Sequence, residues 1–398
     1  MREFVNQKVK AIKPSGIRKF FDIANEMEDV ISLGVGEPDF DTPWHIREEG
    51  IYALQKGQTF YTSNSGLLEL RLAIVDNLKK KFALDYQATN EVLVTVGGSE
   101  AIDLALRATI EPGEEVIYTE PSYVSYLPCI QLSDGVPVSI PLQEENNFRL
   151  TKEELLQAIT PKTKAVILSF PNNPTGAVMT KENLEEIAEV IIEHDLLVIT
   201  DEIYADLSYL EDEAHCSIAS LPGMKERTVY INGFSKAYSM TGWRLGYCCA
   251  PSAIMEQMLK IHQFAIMAAS TVSQYAGIVA LENGDSDVEM MRTSYNQRRR
   301  YVMSELARLG LPCFEPFGAF YVFPNISEFG MTSEEFATEL IHKERVAVVP
   351  GTAFGDSGEG FVRISYAYSI NELKMAFERL ERFIVGLRER ETEKYIEL

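Results

Sequence analysis

Lys236 stands in the stretch "SKAYSMTGWRLGY", separated by a glycine-containing turn from the preceding apolar run Val229, Tyr230 and Ile231. Arg244 precedes a second apolar run, Leu245 to Cys249. An amine at the end of a strand can form a Schiff base with an aldehyde, and a fixed cation nearby can pair with a phosphate. The pair suits an aldehyde cofactor that carries a phosphate. For Lys236 taken alone, a solvated lysine in a polar loop is the competing reading.

Asp201 closes the apolar run Leu196 to Thr200, which reads as a buried parallel strand ending in an acid. Such an acid points into the crevice where open α/β sheets bind ligands. Capping of the following segment is its alternative use. In "VTVGGSEAIDLALRA", strand residues run into Gly97 and Gly98, and Ser99 opens a segment with helical spacing at Ile102, Ala105 and Leu106. A glycine turn feeding a helix start is an anion site, because the first backbone N–H groups lack partners and the helix dipole is positive there. Gly98, Ser99 and Glu100 would offer those groups, with the Ser99 hydroxyl beside them. Ser99 as a plain N-cap is the alternative. "SFPNNPTG" follows the apolar run Ala165 to Leu168 and carries turn chemistry.

The elements that must position these residues follow from the apolar pattern. Strand candidates lie at 92–96, 115–119, 136–140, 165–169, 196–200, 228–232 and 245–249, with helical patterns between most of them. That alternation predicts parallel α/β architecture. A long helical stretch is expected over 252–307, interrupted only by Gly277 and "ENGDSD". "GAFYVFPNI", "AVVPGTAF" and "GFVRISYA" read as strands of a smaller domain that pairs with the N-terminal segment.

The chain of 398 residues is long enough for two domains. A net charge of -22 argues against nucleic acid, whose phosphates need a basic face. Lys79 to Lys81 and Arg298 to Arg300 read as solvated helix faces. The sequence shows no apolar run of about 18 residues or more, so no membrane span is expected. The charged start, "MREFVNQKVKAIKPSG", suits a surface helix rather than a secretory signal. Five cysteines without paired spacing fit a reducing cytoplasm, and five histidines without metal-ligand spacing give no reason to expect a metal.

The lysine string, "TDEIYADL", "NPTG" and "VTVGGSEA" together resemble, in order, the motifs of class I pyridoxal-phosphate-dependent aminotransferases of fold type I. The similarity covers the chain from about Gly34 to Arg363. It implies an α/β fold with a large domain built on a seven-stranded, mostly parallel sheet flanked by helices, the last strand antiparallel, plus a smaller α+β domain. The large domain is placed at 45–285, and the small one at 1–44 with 286–398. By the same resemblance Lys236 holds pyridoxal 5'-phosphate and moves the substrate α-proton. Asp201 keeps the ring nitrogen protonated, so that the ring acts as an electron sink. Tyr204 and Asn173 meet the phenolate oxygen, and Tyr123 stacks on the ring. Arg244, Ser235, Gly98, Ser99 and Glu100 take the phosphate. Arg363 grips the substrate carboxylate with two N–H groups and Gly36 touches it through its backbone. Tyr61 matches a tyrosine that reaches the partner's cofactor phosphate across a homodimer.

The implied reaction is ping-pong transamination between an L-amino acid and a 2-oxo acid such as 2-oxoglutarate. Some aspartate-using relatives carry a lysine where this chain has Ser99. "SGIRKFFDIA" matches the segment that covers the substrate, offering Ile17 and Phe20 as apolar contacts and Arg18 as a charge. Both points lean towards aromatic or bulky apolar substrates, as in an aromatic amino acid aminotransferase-like subgroup. Two other readings remain at this stage. A carbon–sulfur β-lyase would use the same cofactor residues. A serine hydrolase would use Ser99 on a turn close to a nucleophile elbow, with His262 or His342 as base.

Overall fold

The computed structural model describes residues 2–14, 16–17, 26–211 and 213–396. Arg18 and Phe20 lie outside them. A seven-stranded sheet comprises β2 (Val92–Thr95), β3 (Glu115–Glu120), β4 (Val136–Pro141), β5 (Thr163–Leu168), β6 (Leu197–Asp201), β7 (Thr228–Gly233) and β8 (Gly246–Cys249). Their order across the sheet is β2-β8-β7-β6-β5-β3-β4. β3 to β7 pair in parallel, whereas β8 runs antiparallel to both neighbours, β2 and β7. Each expected strand is present, with ends shifted by a residue or two.

Successive strand residues divide between two cores. Val166 and Val198 face one side, while Ala165, Ile167 and Ile199 face the other. A sheet covered by helices on both faces leaves no polar side to its central strands, which is why they read as continuous apolar runs. The edge strand β4 is the exception. It is largely exposed and carries Pro137 and Pro141, both tolerated where a strand lacks an outer partner. In β8, adjacent Cys248 and Cys249 are buried on opposite faces, and both are free thiols.

The 252–307 stretch is helical with the expected break at "ENGDSD", at Gly284, and an earlier break that was not expected. It forms three helices, Ser252–Ala265, Thr271–Asn283 and Asp285–Leu309. The first break falls where Met267 adopts a left-handed φ of 76° and the Ser270 side chain accepts from Ser273 N–H as the next helix begins. Gly277, expected to interrupt the stretch, is inside a helix. A Cβ there would lie 2.6 Å from Leu245 Cδ2, so the glycine lets this helix pack closely against the residue that leads into β8.

The C-terminal part packs around a further core, which also takes in Tyr204, Leu207 and Tyr209 from the segment after β6. Helices Asp285–Leu309 and Ile370–Ile396 pack with β9 (Tyr321–Val322) and β12 (Val362–Ser365), which join β11 (Val349–Pro350) in an antiparallel sheet ordered β11-β12-β9. β1 (Ile31–Ser32) pairs in parallel with β10 (Val346–Ala347), tying the N-terminal segment to this part. The start of the chain forms the short, exposed helix Gln7–Ala11. Among the described residues no helix is long and apolar enough to cross a membrane.

Candidate active site

Topology brings distant residues to one end of the large sheet. β2 and β7 run the same way because β8 opposes both, so β8 starts where the other strands finish. The loop from β7 to β8 therefore carries Lys236 and Arg244 to the same end as Asp201, Asn173 and the start of the helix Gly97–Thr109. Close backbone approach completes the arrangement. A Cβ on Gly246 would sit 2.6 Å from Gly97 C, and one on Gly97 would sit 2.5 Å from Arg244 Nη2. Gly97 also holds φ at 74°. Only glycines at both positions let the helix start rest against β8 and beneath the guanidinium.

A cavity of about 380 Å³ opens at this end. Lys236, Asp201, Tyr204 and Asn173 line it, as do Tyr123, Ser235, Arg244 and Arg363. Gly36, Gly98, Ser99 and Ile17 complete the expected members. Two residues lie elsewhere. Glu100 sits one position behind the lining. Tyr61 is 84% exposed and stands on the outer surface of the chain.

Lys236 Nζ donates to Gly36 O at 2.5 Å and lies 5.8 Å from the centroids of both Tyr204 and Phe320. Its pKa is lowered to about 8, with burial the largest cause. The positive charge of Arg363 is the second cause of that lowering, Glu37 opposes it, and Arg244 adds a smaller lowering effect. Asp201 is buried at the end of β6. Its Oδ2 accepts from the Tyr126 hydroxyl at 2.7 Å and its Oδ1 from Ile203 N–H at 3.3 Å. Burial raises its pKa, and those two donors oppose the rise.

Asn173 is held by a tight turn. Asn172 Oδ1 accepts from both the N–H and the hydroxyl of Thr175, and Gly176 N–H donates to Asn172 O at 2.9 Å. The Arg363 guanidinium is fixed from β12. Nη1 donates to Asn173 Oδ1 at 2.8 Å and Nη2 to Gly34 O at 2.6 Å. It lies between the rings of Tyr321, at 4.4 Å, and Phe354, at 4.7 Å. Its buried Nε–H has no partner. Such a donor is costly unless something accepts from it, which marks a place for an anion.

The same structure admits a phosphorylated pyridine aldehyde. The helix beginning at Gly97 has no side-chain cap, so the N–H groups of its first turn remain available beside Arg244 and Ser235. The helix starts two residues earlier than the sequence pattern suggested, and Ser99 is therefore not its N-cap. Ser99 Oγ lies 3.4 Å from Tyr123 Oη. His262 is instead paired with Glu100, His342 lies in the last turn of the helix Ser333–Glu344, and neither lines the cavity with Ser99, which leaves the hydrolase reading without a base.

Several lining residues escaped the sequence reading. Tyr126 anchors Asp201 from within "EPSYVSY", where only Tyr123 had a recognised place. Tyr321 Oη lies 2.7 Å from Tyr204 Oη and packs over Arg363. It also explains Gly36, where a Cβ would come within 2.5 Å of the Tyr321 hydroxyl. Glu37, hydrogen-bonded to Thr241, is a charge near Lys236 that no motif flagged.

Residues 28–380 match the family described as aminotransferase class I and II. A putative aminotransferase of Bacillus subtilis is 52% identical over 96% of this chain and 99% of its own length. An aromatic-amino-acid aminotransferase of Thermococcus litoralis is 46% identical over 96% of this chain and 98% of its own. Among solved structures, an aromatic aminotransferase from Pyrococcus horikoshii superposes with a TM-score of 0.88 at 48% identity, covering 94% of this chain and 99% of that one. An aspartate aminotransferase from Thermus thermophilus with maleate reaches 0.91 at 38% identity, covering 96% and 100%. The chain belongs to the class I and II aminotransferases and is a pyridoxal-phosphate-dependent enzyme of fold type I.

Proposed function

We propose that this enzyme exchanges an amino group between an L-amino acid with an aromatic or bulky apolar side chain and a 2-oxo acid such as 2-oxoglutarate, in ping-pong order at one site. The observation that carries the reading is the single cavity in which the Lys236 amine, its pKa lowered to about 8, faces both the Arg363 guanidinium and the Asp201 carboxylate. Pyridoxal 5'-phosphate, when bound, supplies the aldehyde that accepts the amine and the ring that takes up the electron pair.

Every other task falls to this chain. Lys236 Nζ is the point of covalent attachment. When released it moves the proton from the substrate α-carbon, which requires a neutral amine. Burial shifts the amine towards that state. Asp201, anchored by Tyr126, is the carboxylate for the ring nitrogen. Asn173 and Tyr204 face the phenolate side, and Tyr123 offers the ring to stack on. The first turn at Gly98, Ser99 and Glu100, with Ser235 and Arg244, holds the phosphate. Arg363 takes the α-carboxylate common to donor and acceptor, beside Gly36. Ile17 is an apolar neighbour for the substrate side chain, and Ser99 supplies no charge for a distal carboxylate.

The active form we propose is a cytoplasmic homodimer with shared sites, each chain divided into a large domain, 45–285, and a small one, 1–44 with 286–398. Tyr61 would enter the partner's site. Its loop is tied down by Asn64 Nδ2 to Met267 O at 2.7 Å and by Thr271 Oγ1 to Phe60 O at 2.7 Å. Phe60 and Tyr61 nevertheless face solvent at 81% and 84% exposure, and Phe264 at 88%. Ordered loops with exposed aromatics suit an interface.

A half-reaction screen tests substrate choice. Holoenzyme is mixed with one amino acid at a time and the cofactor absorbance is followed in a single turnover. Phenylalanine, tyrosine and leucine should convert faster than aspartate at equal concentration. Preference for aspartate refutes the substrate assignment. Pyruvate and ammonia from cystathionine without an oxo-acid acceptor would reveal a β-lyase instead.

A further inference from the structure

Glu100 is an awkward residue for its position. It brings a carboxylate to the first turn of the helix whose N–H groups are assigned to the phosphate. Its side chain is 11% exposed, and both its oxygens are engaged behind the cavity. Oε2 accepts from Val96 N–H at 2.5 Å, and Oε1 lies 2.6 Å from His262 Nδ1. His262 comes from the last turn of the helix Ser252–Ala265 and is fully buried. A carboxylate only accepts, so Nδ1 carries the hydrogen in this pair. The opposite ring atom, Nε2, has no partner. The imidazole therefore makes its one side-chain bond to Glu100.

The consequence lies in the turn. Val96 precedes Gly97, whose φ of 74° turns the chain into the helix start, where Gly98 and Ser99 line the cavity. Holding Val96 N–H on Glu100 fixes the entry to that turn, and holding Glu100 on His262 keeps its negative charge off the phosphate side. We propose that His262 is a positioning residue for the phosphate cradle, acting through Glu100 and Val96 without touching the cofactor. The inference rests on the cofactor reading given above and extends it to a residue that no motif marks.

The test separates phosphate binding from everything else by comparing two ligands of the cofactor-free protein, pyridoxal 5'-phosphate and pyridoxal. Both can attach to Lys236, and only the first engages the cradle. His262→Phe should weaken pyridoxal 5'-phosphate about tenfold, the order expected when a buried bond to a charged group is lost. Pyridoxal should change by less than about twofold on the same reasoning. His262→Asn keeps an N–H donor close to the Nδ1 position and should restore most of the ratio between the two dissociation constants. Should the phenylalanine variant fail to fold, Glu100→Ala cuts the same link, and the same ratio is read. An unchanged ratio overturns the proposal. Equal weakening of both ligands also overturns it, because that is what a purely structural histidine would produce. Borohydride trapping of either ligand on a lysine other than Lys236 would overturn the cofactor reading itself, independently of the ratio.

Discussion

The lowered basicity of Lys236 can be measured before any cofactor is added. With a pKa of about 8, about one Lys236 in ten is neutral at pH 7, against roughly one in three thousand for a lysine at 10.5. Lys236 in the cofactor-free protein should then react with a small aldehyde some 300-fold faster, per unit of accessibility, than a lysine at 10.5. The sign follows from the neutral form being the reactive one. The rate is high above the midpoint near 8 and falls about tenfold for each pH unit below it. Reductive methylation with formaldehyde and cyanoborohydride, quantified on the Lys236 peptide and normalised to exposed Lys56, gives the profile. The order of causes predicts two opposite displacements. Arg363→Leu removes the strongest charge effect, so the midpoint should rise, while burial keeps it below 10.5. Glu37→Gln removes an opposing carboxylate, so the midpoint should fall. A wild-type midpoint near 10.5, or displacements in the reverse directions, would refute the reasoning.

Asp201→Asn should leave a folded protein, because the amide oxygen can still accept from Tyr126. It should raise the barrier to α-proton removal by about 3–4 kcal/mol, the size seen when a preorganised electrostatic partner is lost, as read in single-turnover rates. Arg363→Ala should weaken amino acids and 2-oxo acids alike by about 2–5 kcal/mol. An amine lacking the carboxylate should lose much less, and selective loss of one side-chain class would contradict the assignment. Mixing inactive Tyr61 and Lys236 variants should return activity, because a hybrid dimer with shared sites contains one site free of both changes. No recovery, with hybrid formation verified by native mass spectrometry, would mean self-contained sites.

What was readable in the chain and what was not divides along a physical line. The strands of the large sheet are visible because burial on both faces turns them into apolar runs, as in Ala165 to Leu168. Asp201, Asn173 and Lys236 are visible for a related reason. Each follows such a run, and the end of a parallel strand is where an open sheet binds ligands. The break at 266–270 is hidden because no glycine or proline marks it, and Met267 adopts the left-handed conformation without one. Tyr126 is hidden because its value comes from meeting Asp201, 75 residues away. Tyr321 meets Tyr204 across 117 residues, and His262 meets Glu100 across 162.

These supporting contacts are more than incidental packing. Tyr126 orients the carboxylate at the end of β6, and Tyr321 both meets Tyr204 and covers the guanidinium of Arg363. His262 bonds the Glu100 carboxylate that also holds Val96 N–H at the helix start. Each acts on a residue that a motif had already singled out. A buried catalytic group needs partners that hold it in one rotamer, and those partners must come from whatever element the fold brings alongside. Sequence spacing therefore locates the reactive groups at strand ends, where topology is regular. The groups that tune them arrive from other elements, and only the assembled structure puts the two sets together.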